Sequence, residues 1–474
     1  MKKGADRSTF FRFTTFSFLF IMSKGKEMVL EMQKDLTKGS ALKNIVTFSL
    51  PFLLSNFLQT FYGMADLFIV GQYNGAASLS GVSIGSQVMH MLTVMIVGLA
   101  MGTTVLVGRY VGERKEQEKR TVIGNTVIIF LIISVLLMAV LLIFINLIIT
   151  VMFTPIEAVG ETRLYLRICF TGIPFIVAYN VISSIFRGLG DSKSPMYFVA
   201  VACFLNILLD YLFIGYYDMH AAGAALGTVF SQAVSVMFAL AAIVRKKLIT
   251  VTRVDLHLNR LIISNIFKIG FPICIQDGLI QISFIIITVI ANSRGVNIAA
   301  AVGVVEKIIG FFFLVPSSML SAISAICSQC IGSRQHERAA ETLRYGCFIA
   351  VGFGIFFTVI CQFASESILS LFTGEEIVVM YGSQYLRSYV ADCIFAAVSF
   401  GFSGFFTAYG YSMVSFMHNV VSIILVRVPG AYLMSKLYPD NLFPMGLASP
   451  LGSLLSAVIC VSVYIYLRRK TLTV

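Results

Sequence analysis

Charge is scarce in this chain. Only 12% of its 474 residues are Asp, Glu, Lys or Arg, while 58% are hydrophobic and mean hydropathy is +0.89. A soluble domain is about a quarter charged, so this composition excludes one and places the chain in lipid. Long polar blocks are lacking too, which leaves no stretch for a soluble catalytic domain; no enzyme is expected. Tryptophan is absent, and the aromatics are 41 Phe and 19 Tyr. The nine Cys all lie in or beside apolar runs and read as small buried hydrophobes. Cys327 and Cys330 have CxxC spacing, but no second pair exists to complete a metal site. The apolar run 10–22 lacks a following small-residue cleavage site and is too short to span a bilayer. Residues 1–44 are therefore expected to be a cytoplasmic extension. Its first 27 residues read as disordered or mis-assigned, with Met28 or Met32 as alternative starts.

What remains is twelve apolar segments of spanning length. They are expected near 45–70, 81–107, 122–150, 162–186, 194–216, 221–244, 265–292, 298–331, 342–372, 383–408, 412–436 and 442–467. Most of the 35 Lys and Arg residues fall at the two ends of the chain or in alternate connections. These include Arg109, Arg114, Lys115, Arg187, Lys193, Arg260 and Arg334; the opposite side holds only Arg163, Arg294 and Lys436. By the positive-inside rule both termini are cytoplasmic, in a multi-pass protein of the plasma membrane. The net charge of +12 is thus a topology signal, and no nucleic-acid partner is expected.

The chain is also duplicated. Tyr165-Leu166-Arg167 recurs as Tyr385-Leu386-Arg387, about 220 residues on. Phe186, Gly190 and Ser192 recur at the same offset as Phe406, Gly410 and Ser412, and Gly112 as Gly332. Pro51 matches Pro272 one residue further out of step. Six helices per repeat is an even number, so the two halves share one orientation and are related by an axis along the membrane normal. The expected fold is all-α and integral to the membrane: twelve transmembrane helices in two pseudo-symmetric six-helix bundles. The halves are assigned to 45–244 and 265–467, with a cytoplasmic linker at 245–264 and a cytoplasmic tail at 468–474. Two such bundles describe a transporter that alternates access.

Ionisable groups at membrane depth are functional candidates by default. Asp66 lies near the outer end of the first segment and Asp210 near the outer end of the fifth, at similar depth in the same half. Asn206 is one turn from Asp210 on the same helical face. Two carboxylates at one depth of a low-dielectric lobe suit a proton carrier, and an oxygen-rich cluster alternatively holds Na⁺. In the second half Glu306, Lys307, Asp392 and Arg427 read as a neutralised buried network, with structural glue as its main role. Asp277, between Gln276 and Gln281, reads either as an acid that meets substrate from the cytoplasmic side or as a loosely solvated acid. His90 and His418 read as core or cavity residues. The abundant aromatics and the 20 Met suit a greasy cavity for planar organic cations.

These stretches resemble the multidrug and toxic compound extrusion (MATE) family, in particular its DinF-like bacterial branch. The resemblance is carried by TFSLPFLLSNFLQTFYGMADLFIVGQYNG, IFRGLGDSKSPM, FLNILLDYLFIG, SQCIGSRQHERA and VRVPGAYL, and it covers about residues 40–470. It implies a V-shaped pair of lobes, working as a monomer, that exports amphipathic and mostly cationic compounds in exchange for H⁺ or Na⁺. By the same resemblance Asp66, Asn206 and Asp210 form the coupling-ion site, and Asn180 is a further member of it. Some branches use a Glu eight residues after the proline of the seventh helix; here that position is Ile280.

Other readings remain open. A flippase for lipid-linked oligosaccharide precursors shares the paired-bundle plan, but would need unpaired Arg or Lys facing the middle. A major-facilitator carrier is also six plus six, yet GRYVGERKEQEKR lacks the Asp of that family's loop motif. The expected mechanism is antiport: ion binding at Asp66 and Asp210 shifts the first helix at Pro51 and lowers affinity for the exported solute.

Overall fold

The computed structural model describes residues 35–246 and 253–471. Residues 1–34 and most of the linker's first part lie outside that range, as do the alternative starts Met28 and Met32.

Twelve spans follow one another, and we number them α1 to α12. They are α1 Ala41–Tyr73, α2 Ala76–Gly112, α3 Glu116–Ile143, α4 Ile156–Thr171 with Ile173–Gly188, α5 Lys193–Tyr216 and α6 His220–Arg245. The second half has α7 Arg260–Asn292, α8 Val296–Gly332, α9 His336–Ser370, α10 Glu376–Tyr389 with Asp392–Tyr409, α11 Ser412–Leu437 and α12 Phe443–Arg469. An even number of spans puts both described ends on one face, called here the terminal side. Side chains on α3 and α9 are largely exposed, Leu131 to 60% and Phe363 to 87%. In a lipid solvent these apolar faces are the ones that meet acyl chains.

The duplication is visible in the helices. α1 and α7 are both 33 residues long, and α2 and α8 both 37. Each repeat starts with a side-chain cap: Ser40 accepts from the Lys43 amide, and Asn259 from Leu261 and Ile262. α4 bends by 51° at Gly172, and α10 breaks at the matching Val390-Ala391. The fifth helix of each repeat contains a wider π turn, Tyr211–Tyr216 in α5 and Ile423–Arg427 in α11. The expected continuous segment 122–150 is instead α3 followed by a separate short helix, Ile145–Val151, with the break at Phe144.

The lobes are not separate at the terminal side. Ile45 and Phe48 of α1 pack into the C-lobe core with Met319, Ile323 and Ile326. Their counterparts Ile266 and Ile269 of α7 pack into the N-lobe core with Val105 and Val122. The far part of each helix returns to its own lobe, as Ile69 and Val70 do in the N-lobe and Ile287 and Ala291 in the C-lobe. α1 and α7 are therefore struts that cross from one lobe to the other.

Glycines permit the crossing. A Cβ at Gly102 would strike the Ile266 carbonyl, and one at Gly270 the Leu99 carbonyl. Further toward the terminal side a Cβ at Gly112 would strike the Gln329 carbonyl, and one at Gly332 the Arg109 carbonyl. Those two residues also form a reciprocal tie across the lobes. Arg109 donates from Nε to the Ala408 carbonyl at 3.1 Å, and Gln329 donates from Nε2 to the Gly188 carbonyl at 3.0 Å.

The described residues just before α1, 35–40, take part in this closure. Leu36 is 1% exposed; its amide donates to Gln329 Oε1 at 3.2 Å, and its carbonyl accepts from Arg338. Asn44 and Arg338 bind the carbonyl of Lys38 as well. Buried backbone groups need partners, and here side chains from α1, α8 and α9 supply them.

If the close crossing holds the terminal side shut, Gly112→Val and Gly332→Val should each cost about 1–3 kcal/mol, the usual range for overpacking. Thermal unfolding of the purified protein in detergent measures this. Unchanged midpoints for both variants would reject the close packing described here.

Candidate functional site

Asp66 sits on α1 and Asp210 on α5, each six or seven residues short of its helix's far end, so at roughly 10 Å depth. Both are buried, Asp66 5% exposed and Asp210 fully enclosed. Thr228 of α6 donates its hydroxyl to Asp66 Oδ2 at 3.3 Å. Asp210 and Asn206 face the same carboxylate, close enough to interact with it. No aligned donor completes the set. Asp66 Oδ1, both carboxylate oxygens of Asp210 and both polar atoms of Asn206 are buried without a hydrogen-bond partner. Two facing carboxylates in a dry lobe require a proton or a metal cation between them. The orphaned oxygens and the Asn206 amide are a donor set that suits either.

Neighbouring side chains shape this site. Gly227 of α6 makes room for it, since a Cβ there would strike Asp210 Oδ1 and stand 3.6 Å from Asn206 Nδ2. One turn along the same α1–α6 contact, Gln232 Nε2 donates to the Tyr62 hydroxyl at 3.5 Å. Tyr165 lies near both acids and packs its ring on Gly85 of α2. Thr228, Gly227, Tyr62 and Tyr165 escaped the sequence reading because none is ionised at membrane depth. Two signals are present, the small-residue run GAALGT of α6 for Gly227 and Thr228 and the repeat Tyr165/Tyr385 for Tyr165; Tyr62 has none. Asn180 is buried on α4, and its amide donates to the Ile176 carbonyl of its own helix at 2.8 Å. Pro51 lies inside an unbroken α1, where Ser55 Oγ donates to its carbonyl at 3.1 Å.

The C-lobe holds a different cluster in the corresponding region. Arg427 Nη2 lies 3.6 Å from Asp392 Oδ2 and donates to the Tyr389 hydroxyl at 2.9 Å. The guanidinium covers the Phe284 ring, 4.7 Å from its centroid. Thr288 donates to Glu306 Oε2 at 3.1 Å, and Glu306 lies in the field of the same Arg427. Tyr385, the repeat partner of Tyr165, stands beside this cluster as Tyr165 stands beside the other. Lys307 is not part of it. It is exposed, because one residue's advance along a helix turns the side chain by about 100° away from Glu306. The network thus has two acids and one base, not two of each.

Asp277 lies on α7 at the lobe crossing. A Cβ on Gly98 of α2 would stand 2.8 Å from Asp277 Oδ2, and no described Lys or Arg pairs with the carboxylate. Gln281, one turn on, is half-buried. His418 is enclosed between the hydroxyls of Ser403 and Ser456, each at 2.9 Å. Among the described residues no three His, Cys, Asp or Glu side chains converge on a point.

Paired six-helix lobes with a buried acid pair in one of them define a multi-pass membrane transporter. The MatE family model matches residues 51–212 and again 272–433, once in each lobe. The chain belongs to the MatE family, whose members are transporters and not enzymes. It is 27% identical over 403 residues to the probable multidrug resistance protein YpnP of Bacillus subtilis, covering 85% of this chain and 90% of that one. To the multidrug export protein MepA of Staphylococcus aureus it is 21% identical over 446 residues, covering 92% and 96%. Among solved structures it is similar to an outward-facing multidrug resistance MATE transporter, with TM-score 0.86, 23% identity, and 92% and 98% of the two chains covered. A Pyrococcus furiosus transporter of the MOP superfamily, described as having reversed pocket polarity, gives TM-score 0.87 at 23% identity, covering 93% and 98%. These likenesses fix the two-lobed fold.

Two variants probe the clusters. Gly227→Ala should reduce transport at least about tenfold by crowding Asp210, a loss of about 1.4 kcal/mol. Gly160→Ala, where nothing lies within 4 Å, should leave it unchanged. Equal activity of the two in proteoliposome flux would reject the crowding argument.

In the C-lobe, Arg427→Met should cost about 3–5 kcal/mol by leaving buried acids unpaired. The double variant Arg427→Met with Asp392→Asn should recover part of that. Thermal unfolding reads both, and a double variant no more stable than the single one would contradict the pairing.

Proposed function

We propose that this protein is a secondary active exporter of small amphipathic solutes, mostly cationic drugs or toxins, driven by entry of H⁺ or Na⁺. The observation that carries the reading is the facing pair Asp66 and Asp210, with orphaned oxygens, on and beside a helix that spans both lobes. The relatives named for multidrug resistance and multidrug export support the solute class. The distribution of Lys and Arg supports a plasma-membrane protein with cytoplasmic termini.

The geometry supports the following mechanism. A cation reaching the acid pair from the far side neutralises it and draws α1, α5 and α6 together around Asp66, Asp210 and Thr228. Because the start of α1 is anchored in the C-lobe, tightening its far part pulls on the lobe junction, with Pro51 between the two anchor points. Occupancy by the ion and by the solute then favour different lobe arrangements. A coupling of about 1–3 kcal/mol suffices for ion entry to drive solute release. Asp277, a carboxylate without a basic partner at the lobe crossing, supplies the charge that attracts an organic cation, with Gln281 beside it.

The flippase reading is less well supported. Arg427 is paired with Asp392 and so offers no free cation for a lipid pyrophosphate.

Efflux of a dye cation from proteoliposomes under an imposed pH gradient, and separately an imposed Na⁺ gradient, tests the proposal. Asp66→Asn and Asp210→Asn should each abolish gradient-driven efflux while the protein still reaches the membrane. Full gradient-driven transport in both variants would sink it.

A further inference from the structure

Arg187 is another buried charge of the N-lobe, and the proposed ion exchange makes no use of it. It lies in the last turn of α4 and is 4% exposed. Among the described residues it forms no ion pair with any Asp or Glu. The nearest acid in sequence, Asp191, is spent on its own helix cap. Its Oδ1 accepts from the amides of Lys193 and Ser194 at 2.9 and 3.0 Å, and its Oδ2 from the Ser194 hydroxyl at 2.6 Å.

The guanidinium has only partial compensation. Nη2 donates to Ser184 Oγ at 2.6 Å, and the group covers the Phe52 ring at 5.3 Å. The carbonyl end of α4 adds the partial negative charge of a helix C-terminus. Nε remains buried without an acceptor, and so does the hydroxyl of Ser183. Ser183 lies four residues before Arg187, and Tyr179 four before that, so all three share one helical face. Tyr179 is buried, with its hydroxyl close to Ser183 and Gln59 and within the field of Arg187. A buried full charge without a counter-charge is costly, and two unused donors beside it compound the cost.

We propose that Arg187, Ser183 and Tyr179 form a binding site for a small monovalent anionic group, at the terminal-side end of the N-lobe. The guanidinium supplies the charge and one N–H, the Ser183 hydroxyl supplies a further donor, and Tyr179, whose hydroxyl donates to the Pro195 carbonyl at 3.5 Å, walls the site. The site touches Phe52, the residue after Pro51, so its occupant lies against the part of α1 that enters the C-lobe. Two sources share this chemistry: a free halide, and the carboxylate of a zwitterionic solute.

Purified protein in detergent is heated in sodium gluconate, with chloride, bromide or acetate replacing gluconate at constant Na⁺ and ionic strength. The expected result is a saturable rise of the unfolding midpoint by about 2 °C or more. A rise with halides identifies a free inorganic anion, and a rise with acetate alone identifies a carboxylate group. Arg187→Gln should abolish the rise. Ser183→Ala, a smaller change that keeps the guanidinium, should move its half-point to at least about threefold higher anion concentration and decides the matter should Arg187→Gln not fold. Anomalous diffraction from bromide-soaked crystals should place a peak at Arg187. No anion-specific rise in the unaltered protein, or an equal rise in Ser183→Ala and no bromide at Arg187, overturns the proposal.

Discussion

Asp66 sits on a helix whose two ends belong to different lobes, and most of the architecture serves that arrangement. The start of α1 completes the C-lobe core through Ile45 and Phe48, and its far part completes the N-lobe core through Ile69 and Val70. In lipid there is little hydrophobic drive to bring helices together, so close packing and hydrogen bonds must do it. The glycines of α2, α7 and α8 let backbones touch at the crossing, and Arg109 and Gln329 tie carbonyls across it. The chemistry at Asp66 and the packing at the junction are thus carried by one rigid element.

The two lobes answer the problem of buried acid differently. Around Asp66 and Asp210 no ion pair with a basic side chain forms among the described residues. Around Asp392 and Glu306 the cation is covalently attached, as the guanidinium of Arg427 held over Phe284 and against Tyr389. Tyr165 and Tyr385 occupy matching places beside the two clusters, which shows that duplication kept the frame while the charges diverged. Symmetry of fold does not extend to symmetry of electrostatics.

The sequence made the frame legible because membrane physics leaves few options. Apolar length gives the spans, the alternating Lys and Arg give a sidedness, and the 165–192 and 385–412 match gives the repeat. Asp66, Asp210 and Asn206 stood out because an acid inside an apolar run has no cheap explanation. The reading failed where the determinant is a direction or a distant partner. Lys307 follows Glu306 in sequence but points to another face. Leu36 and Lys38 are held by carbonyl contacts to Arg338 and Asn44, which leave no pattern in the chain. Gly227 and Thr228 matter only because α6 packs against α1 and α5, a fact that no local window contains.

If the proposed exchange operates, a fixed charge and an exchangeable one share the same lobe and constrain how it can move. Arg187 and the acid pair both act on α1, one against Phe52 near its start and the other at Asp66 near its far end. In the proposed exchange, a cation arriving at the far site would remove negative charge and weaken the long-range attraction between the acids and the guanidinium. In a low-dielectric bundle that attraction falls off slowly with distance, so the two ends of the helix remain electrostatically aware of each other. A strut loaded in this way cannot change its occupancy at one end without altering the balance of forces at the other.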